Sequence, residues 1–338
     1  MPHVTMQKIA DISGVSMKTV SRVVNKENGV KKETRKKVLA IIEELDYHPH
    51  PSARGLAAAR SFLIALLYDN PNTDYITGLQ NGSLATCWER GFGLLIHPCN
   101  HADINLCQSI RSMARQSRID GLVLTPPLSD MEDILDMFDQ RGLKYVRISP
   151  LMVNDRSPVV FADEYKAAFR MTEYLISQGH NRIGFITGHP NRSGTVMRLK
   201  GYRQAIEDNA LDSDASLIIE GKYTFESGEI AARKLLRSQN RPTAIFASND
   251  YMAAGVMKVA HQMKISVPYE LSISGYDDAP LARHIWPRLT TIQHPVKQIA
   301  QLATSLLIQH INDEPAVFSP ESIHSELIVR ESTGPLLA

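Results

Sequence analysis

At 338 residues the chain exceeds one ordinary hydrophobic core, so more than one domain is expected. Apolar residues make up 43% and charged residues 22%, an ordinary globular balance, and no run nears the roughly 18 apolar residues of a membrane helix. The net charge of +1 is unevenly shared: residues 1–60 hold 11 Lys and Arg against 6 Asp and Glu, and the remainder holds 26 against 30. A small basic head on a mildly acidic body fits a nucleic-acid-binding module joined to something else.

Met1–Ala10 lacks the basic-then-apolar layout of a signal peptide. Cys87, Cys99 and Cys107 show no metal-ligand spacing and read as free thiols of a reducing cytoplasm, so a cytoplasmic location is expected.

Residues 1–48 read as helices with short turns. Thr5 caps a first helix with Ile9, Ala10 and Ile12 on its apolar face, and Gly14 permits the left-handed turn at its end. Ser16 caps a second helix with Val20, Val23 and Val24 inside and Met17, Lys18, Ser21 and Arg22 outside. A third, Glu33–Leu45, supplies Val38, Ile41, Ile42 and Leu45. By spacing alone this pair suits a small helical bundle as well as a DNA reader.

The outer face has the chemistry for DNA. Arg22 can donate twice to guanine O6 and N7, Lys18 to guanine or a phosphate, and Met17 can pack on a thymine methyl. Thr5, Ser16, Thr19 and Asn25 suit phosphate contacts that set register.

Residues 49–60 form a Pro-bounded, Ala-rich linker. From Ser61 onward, apolar runs alternate with amphipathic stretches. The runs are Phe62–Tyr68, Phe92–Ile96, Leu122–Leu124, Val146–Ile148, Val159–Phe161, Ile183–Ile186, Leu217–Ile219, Ala244–Ala247 and Leu271–Ser274. Tyr165–Ser177, Leu199–Asn209 and Glu226–Ser238 are examples of the helical stretches between them. That rhythm predicts doubly wound α/β structure, and its length predicts two similar halves. Ligands of such sheets bind just beyond the strands' carboxyl ends.

The string Ile9-Ala10, Ser13-Gly14-Val15-Ser16, Thr19-Val20-Ser21-Arg22-Val23-Val24-Asn25 resembles the N-terminal signature of the LacI/GalR family of bacterial repressors. Pro51-Ser52-Ala53-Arg54-Gly55-Leu56 resembles its hinge, and Gly275-Tyr276-Asp277-Asp278, Arg288-Leu289-Thr290-Thr291-Ile292 and Arg330-Glu331-Ser332-Thr333 resemble its later motifs. The resemblance spans the whole chain. It implies an all-α helix-turn-helix domain (1–48), a hinge (49–60) and a two-lobed α/β core (61–338) like periplasmic sugar-binding proteins of type I. The lobes would be about 61–161 plus 291–322, and 162–290 plus 323–338, with crossings near Phe161–Ala162, Thr290–Gln293 and Ser322–Ser325.

The implied partners are a palindromic operator with a central CG step, a second copy in a homodimer, and a small-molecule effector, with no membrane. In the hinge, Ser52, Ala53 and Arg54 would lie on the minor groove, where Leu56 wedges the duplex open. So short a Gly-containing helix is expected to fold only on DNA. His50 stands where relatives often have Asn, Gly55 offers no side chain to the groove, and Lys31 replaces a Ser cap before the third helix.

For the effector, Arg198-Leu199-Lys200-Gly201-Tyr202 matches a family helix start whose Arg suits vicinal hydroxyls, and Asn249-Asp250 matches a family pair. Asp277 would accept from two hydroxyls, and Tyr223 would stack on a sugar ring. Asp69, Tyr75 and Thr125 follow or end the first and third core strands. Arg147 reads either as a contact for an anionic or amide-bearing effector or as an ion-paired lobe residue, and Ser149 stands where some relatives have Asp.

The function expected is sequence-specific repression of carbohydrate-utilisation genes, gated by a sugar or glycoside, with no cofactor, metal or catalytic residue. A purine- or nucleoside-responsive regulator is the alternative. A sugar-transport protein would leave residues 1–60 unexplained. Against an enzyme, no G-x-G-x-x-G follows a strand, no P-loop is present and no nucleophile–base set has catalytic spacing.

Overall fold

The computed structural model describes residues 5–24, 28–45, 60–314 and 321–336. The chain divides into two compact units, Met1–Phe62 and Leu63–Ala338.

The first unit carries α1 (Met6–Ser13), α2 (Met17–Val24) and α3 (Lys32–Glu44). Thr5 Oγ1 caps α1 by accepting from Lys8 N at 3.3 Å, and Gly14 closes it at φ 67°. Ser16 Oγ accepts from Thr19 N at 3.2 Å at the start of α2. Ile9, Ala10, Val20, Val23, Val38 and Ile41 form the core, with Ile42 and Leu45 against it. Ile12 is not part of it: half of its surface is exposed, and the buried position is Ser13, whose Oγ donates to the Ile9 carbonyl at 2.6 Å. The buried stripe of α1 therefore runs through 9, 10 and 13, the spacing of one helix face. Lys31 caps α3 with no side-chain hydrogen bond.

The second unit is built on two parallel sheets. The first has the order β11-β5-β4-β3-β1-β2, where β1 is Leu63–Tyr68, β2 Gly93–Pro98, β3 Gly121–Leu124, β4 Lys144–Ile148, β5 Val159–Ala162 and β11 Glu321–Ile323. The second is β7-β6-β8-β9: Ile218–Glu220, Ile183–Thr187, Ala244–Ala247 and Ser272–Ser274. In each sheet the first strand lies between the second and third, so the winding reverses beside β1 and beside β6. Such reversal points open a crevice for ligands.

The chain passes between the halves as it leaves β5 for α7 (Glu164–Ser177). Further on, β10 (Thr291–Gln293) pairs antiparallel with β12 (Glu326–Ile328). After β10, α12 (Val296–Ile311) packs on β4, β3 and α4 (Thr73–Arg90) of the first half. Between these come α5 (Leu106–Ser117), α6 (Glu132–Asp139), α8 (Ser193–Asp208), α9 (Phe225–Leu236), α10 (Asp250–Gln262) and α11 (Pro280–His284).

The α7–α8 contact depends on Gly201. A Cβ there would meet the Tyr165 carbonyl oxygen at 2.2 Å. Gly201→Ala is expected to force the two helices apart and cost roughly 1–3 kcal/mol. A urea midpoint that falls at unchanged slope would show it.

Candidate ligand cavity and nucleic-acid interface

In the head, Ser16, Met17, Lys18 and Arg22 are exposed and Thr19 and Ser21 half-buried. Thr5 is exposed at the start of α1, and the Ser16 and Thr19 hydroxyls lie 2.9 Å apart at the N-terminus of α2. Packing Val20 and Val23 inward turns this face of α2 outward. Asn25, Ser52, Ala53, Arg54 and Leu56 lie outside the described residues.

The second unit has a partly open cavity of about 50 Å³, lined by residues that follow the carboxyl ends of strands in both sheets. Asn70, Asn72, Tyr75 and Pro126 line it from the first half, and Glu164, Arg192, Ser193, Arg198, Tyr223 and Asp277 from the second. His294 lines it directly after the crossing strand β10. Direct bonds join its walls. Asn72 Nδ2 donates to Asp277 Oδ2 at 3.0 Å, Arg192 Nη1 to the Pro126 carbonyl at 3.0 Å, and Ser193 Oγ to the Ser149 carbonyl. Beside it lies a more apolar pocket of about 130 Å³, lined by Leu151, Val153, Phe161, Tyr165 and Met197 and sharing Ser149, Glu164, Ser193 and Gly194 with the first.

Charge is concentrated here. Arg198 Nε donates to Glu164 Oε2 at 2.7 Å and Nη1 to the Ser248 carbonyl, while Cζ lies 3.5 Å from the centroid of the Tyr276 ring. Burial pushes Asp277 up to about 7, Arg198 pulling it down and Glu164 pushing it further up. Burial likewise holds His294 down at about 4.

The profile for bacterial regulatory proteins of the lacI family matches residues 5–50, and that for periplasmic binding protein-like domains matches residues 172–333. The chain is 32% identical over 337 residues to the HTH-type transcriptional repressor PurR of Pectobacterium atrosepticum (strain SCRI 1043), covering 98% of this chain and 97% of that one. The chain belongs to the lacI family. Its structure is similar to that of the lac repressor dimer bound to operator and the anti-inducer ONPF (TM-score 0.80, 25% identity, 98% of this chain and 99% of that one). It is also similar to the transcriptional regulator CelR–cellobiose complex (TM-score 0.75, 28% identity, 98% and 100%).

This lacI-family member is thus a DNA-binding transcriptional regulator with a helix-turn-helix head and a core of periplasmic-binding-protein type. Of the effector residues expected from sequence, Tyr75, Arg198, Tyr223 and Asp277 come together on the cavity. Tyr75 stacks on His294 at 6.1 Å, and Tyr223 Oη lies 2.6 Å from Thr195 Oγ1.

The other four do not line it. Asn249 is buried as the N-cap of α10, accepting from Met252 N and donating to the Tyr223 carbonyl, both at 2.9 Å. Thr125 is buried with Oγ1 donating to the Leu67 carbonyl at 3.2 Å. Asp69 Oδ2 accepts from His101 N at 2.7 Å and faces His101 Nδ1 at 2.5 Å. Arg147 is buried and organises the loop after β4, donating to Ser157 Oγ at 2.9 Å and Asn154 Oδ1 at 2.6 Å.

Asn70, Asn72, Glu164, Arg192, Ser193 and His294 were not among the residues expected. A positional signal existed, since Asn70, Glu164 and His294 each stand one or two residues beyond a strand. Nothing in their types or spacing set them apart from other loop residues.

The two shifted groups give a pH signature. A carboxyl raised in the folded state stabilises below its ordinary range near 4, and that contribution is lost as pH rises through about 7. A histidine depressed to about 4 contributes stability above its ordinary value near 6.5 that is lost as pH falls through 4. The two slopes oppose each other at mildly acid pH. Asp277→Asn removes only the first, so its stability relative to wild type is expected to increase steadily from pH 4 to 7 in urea titrations. A difference independent of pH would show that Asp277 titrates normally.

Proposed function

We propose that this protein is a cytoplasmic repressor of carbohydrate-utilisation genes that binds a palindromic operator as a homodimer and is gated by a small sugar or glycoside. In this reading residues 1–48 read DNA, residues 49–60 form the hinge, and residues 61–338 bind effector and dimerise, with lobes as expected from sequence. Arg22, Lys18, Met17 and Ser21 face base edges, and Thr5, Ser16, Thr19 and Asn25 face phosphates. Two heads read half-sites about one helical turn apart. Ser52, Ala53, Arg54 and Leu56 meet the minor groove at a deformable central CG step.

The observation that carries the gating is a cavity whose polar wall comes from both halves, bridged by the Asn72–Asp277 bond. A ligand that replaces this bond interacts differently with open and closed arrangements, and so shifts their balance. Its lining of carboxylate, amide, guanidinium and tyrosine suits hydroxyl groups and the apolar face of a ring. The neighbouring apolar pocket favours a glycoside, whose aglycone would lie beyond Ser149 and Glu164. A similar fold in complex with cellobiose supports the sugar class. No cofactor, metal or catalytic group enters the reading.

Kinship to a PurR favours a second reading, in which a purine fills the same cavity. A thermal-shift screen of sugars, glycosides and purines, followed by operator retention with each hit, separates them. A purine hit without a sugar hit overturns the carbohydrate assignment. A hit that leaves operator retention unchanged overturns the gating.

A further inference from the structure

Arg198 was expected to present its planar fork to a ligand, but part of that fork is already occupied. Glu164 and Arg198 are nearly inaccessible, with 8% and 6% of their side chains exposed, and are joined at 2.7 Å. The same carboxylate presses on the first turn of α8: a Cβ on Gly194 would meet Glu164 Oε2 at 2.6 Å. That helix starts at Arg192 with no side-chain hydrogen bond capping it. Its first N–H groups and positive dipole end favour negative charge. A guanidinium beside a helix N-terminus is where a ligand carboxylate or phosphate would bind. Glu164 fills that place from within the chain.

The remaining wall is rich in acceptors. Glu164 Oε1 and Asp277 Oδ1 stand 3.9 Å from His294 Nε2 and Nδ1 respectively, beyond hydrogen-bond distance. Both His294 nitrogens are buried without a hydrogen-bond partner among the described residues. Arg192, the other cation on the cavity, reaches the Pro126 carbonyl and stands 4.0 Å from Asp69. An anionic ligand entering here would face the Glu164 carboxylate, joined by that of Asp277 as pH rises through about 7, at side chains with little exposure, where like charges repel strongly.

Resting on the effector reading above, we infer that Glu164 determines specificity: by occupying the anion position at Arg198 and the α8 N-terminus, it restricts the cavity to uncharged, hydroxyl-donating ligands and rejects sugar acids and sugar phosphates. Glu164→Gln keeps the shape and one acceptor but removes the charge, so Arg198 and the helix end are no longer neutralised toward an anion entering the cavity.

The first test needs no effector. Melting temperatures of the full-length wild type and of Glu164→Gln are compared in sodium acetate and in sodium chloride of equal ionic strength. Acetate is expected to stabilise Glu164→Gln but not wild type, and the gain is expected to vanish in Glu164→Gln/Arg198→Gln. An Arg198-dependent acetate effect on wild type, or no gain in a Glu164→Gln protein with native circular dichroism, overturns the inference. Should the variant not fold, wild type is titrated with matched series such as glucose, glucuronate and glucose 6-phosphate, or ribose and ribose 5-phosphate. Any neutral sugar that binds is expected to do so about tenfold or more tighter than its acid or phosphate. An anionic form binding as tightly as its parent overturns the inference. If no sugar, glycoside or purine acts, the effector reading fails, and the acetate result still decides the role of Glu164.

Discussion

Arg198→Met is expected to lower the stability of the core by about 3–5 kcal/mol and to abolish any effector response, because it leaves Glu164 charged and buried without its partner. The ion pair and the contact with Tyr276 add a structural cost. The companion variant Glu164→Gln/Arg198→Met removes the stranded charge and is expected to recover much of the loss. Urea unfolding of wild type, Glu164→Gln, Arg198→Met and the double variant completes a double-mutant cycle. A single Arg198→Met variant as stable as wild type would mean that Glu164 is not held as a buried carboxylate.

The second large effect is in the head. Arg22 lies on the exposed side of α2, and a bidentate guanine contact contributes roughly 1–3 kcal/mol of discrimination. On the proposed two-fold operator, with one copy of Arg22 per half-site, Arg22→Ala is expected to weaken operator binding by about 2–6 kcal/mol and to relax base choice at one position per half-site. Fluorescence anisotropy against operators substituted at each position reads both. Lys18→Ala is the comparison: a phosphate contact weakens all DNA alike and lowers the salt slope by about one. Operator affinity unchanged by Arg22→Ala would remove Arg22 from the reading face.

Both effects depend on features of different legibility. The caps at Thr5, Ser16 and Gly14 could be read from the chain because capping involves residues three or four apart. Ile12 could not be placed so simply. Apolar residues at 9, 10 and 12 suggest one face, but the buried stripe runs through 9, 10 and 13, and the Ser13 hydroxyl finds an acceptor within its own turn. Arg198 and Asp277 were visible as residue types within motifs, whereas Glu164 and Asn72 become meaningful only through partners 34 and 205 residues away. Asn249, Thr125 and Arg147 show the converse: polar residues at or near strand ends, where ligand groups are expected, whose bonds the surrounding backbone and loops already satisfy.

Local periodicity and capping, which act over a few residues, determined the helical head, the strand–helix alternation and hence the fold class. The motif spacings determined the family. Tertiary structure decided which polar groups remain open in the cavity. Each buried charge takes the nearest partner that folding brings to it, and a buried group already paired is no longer available to a ligand.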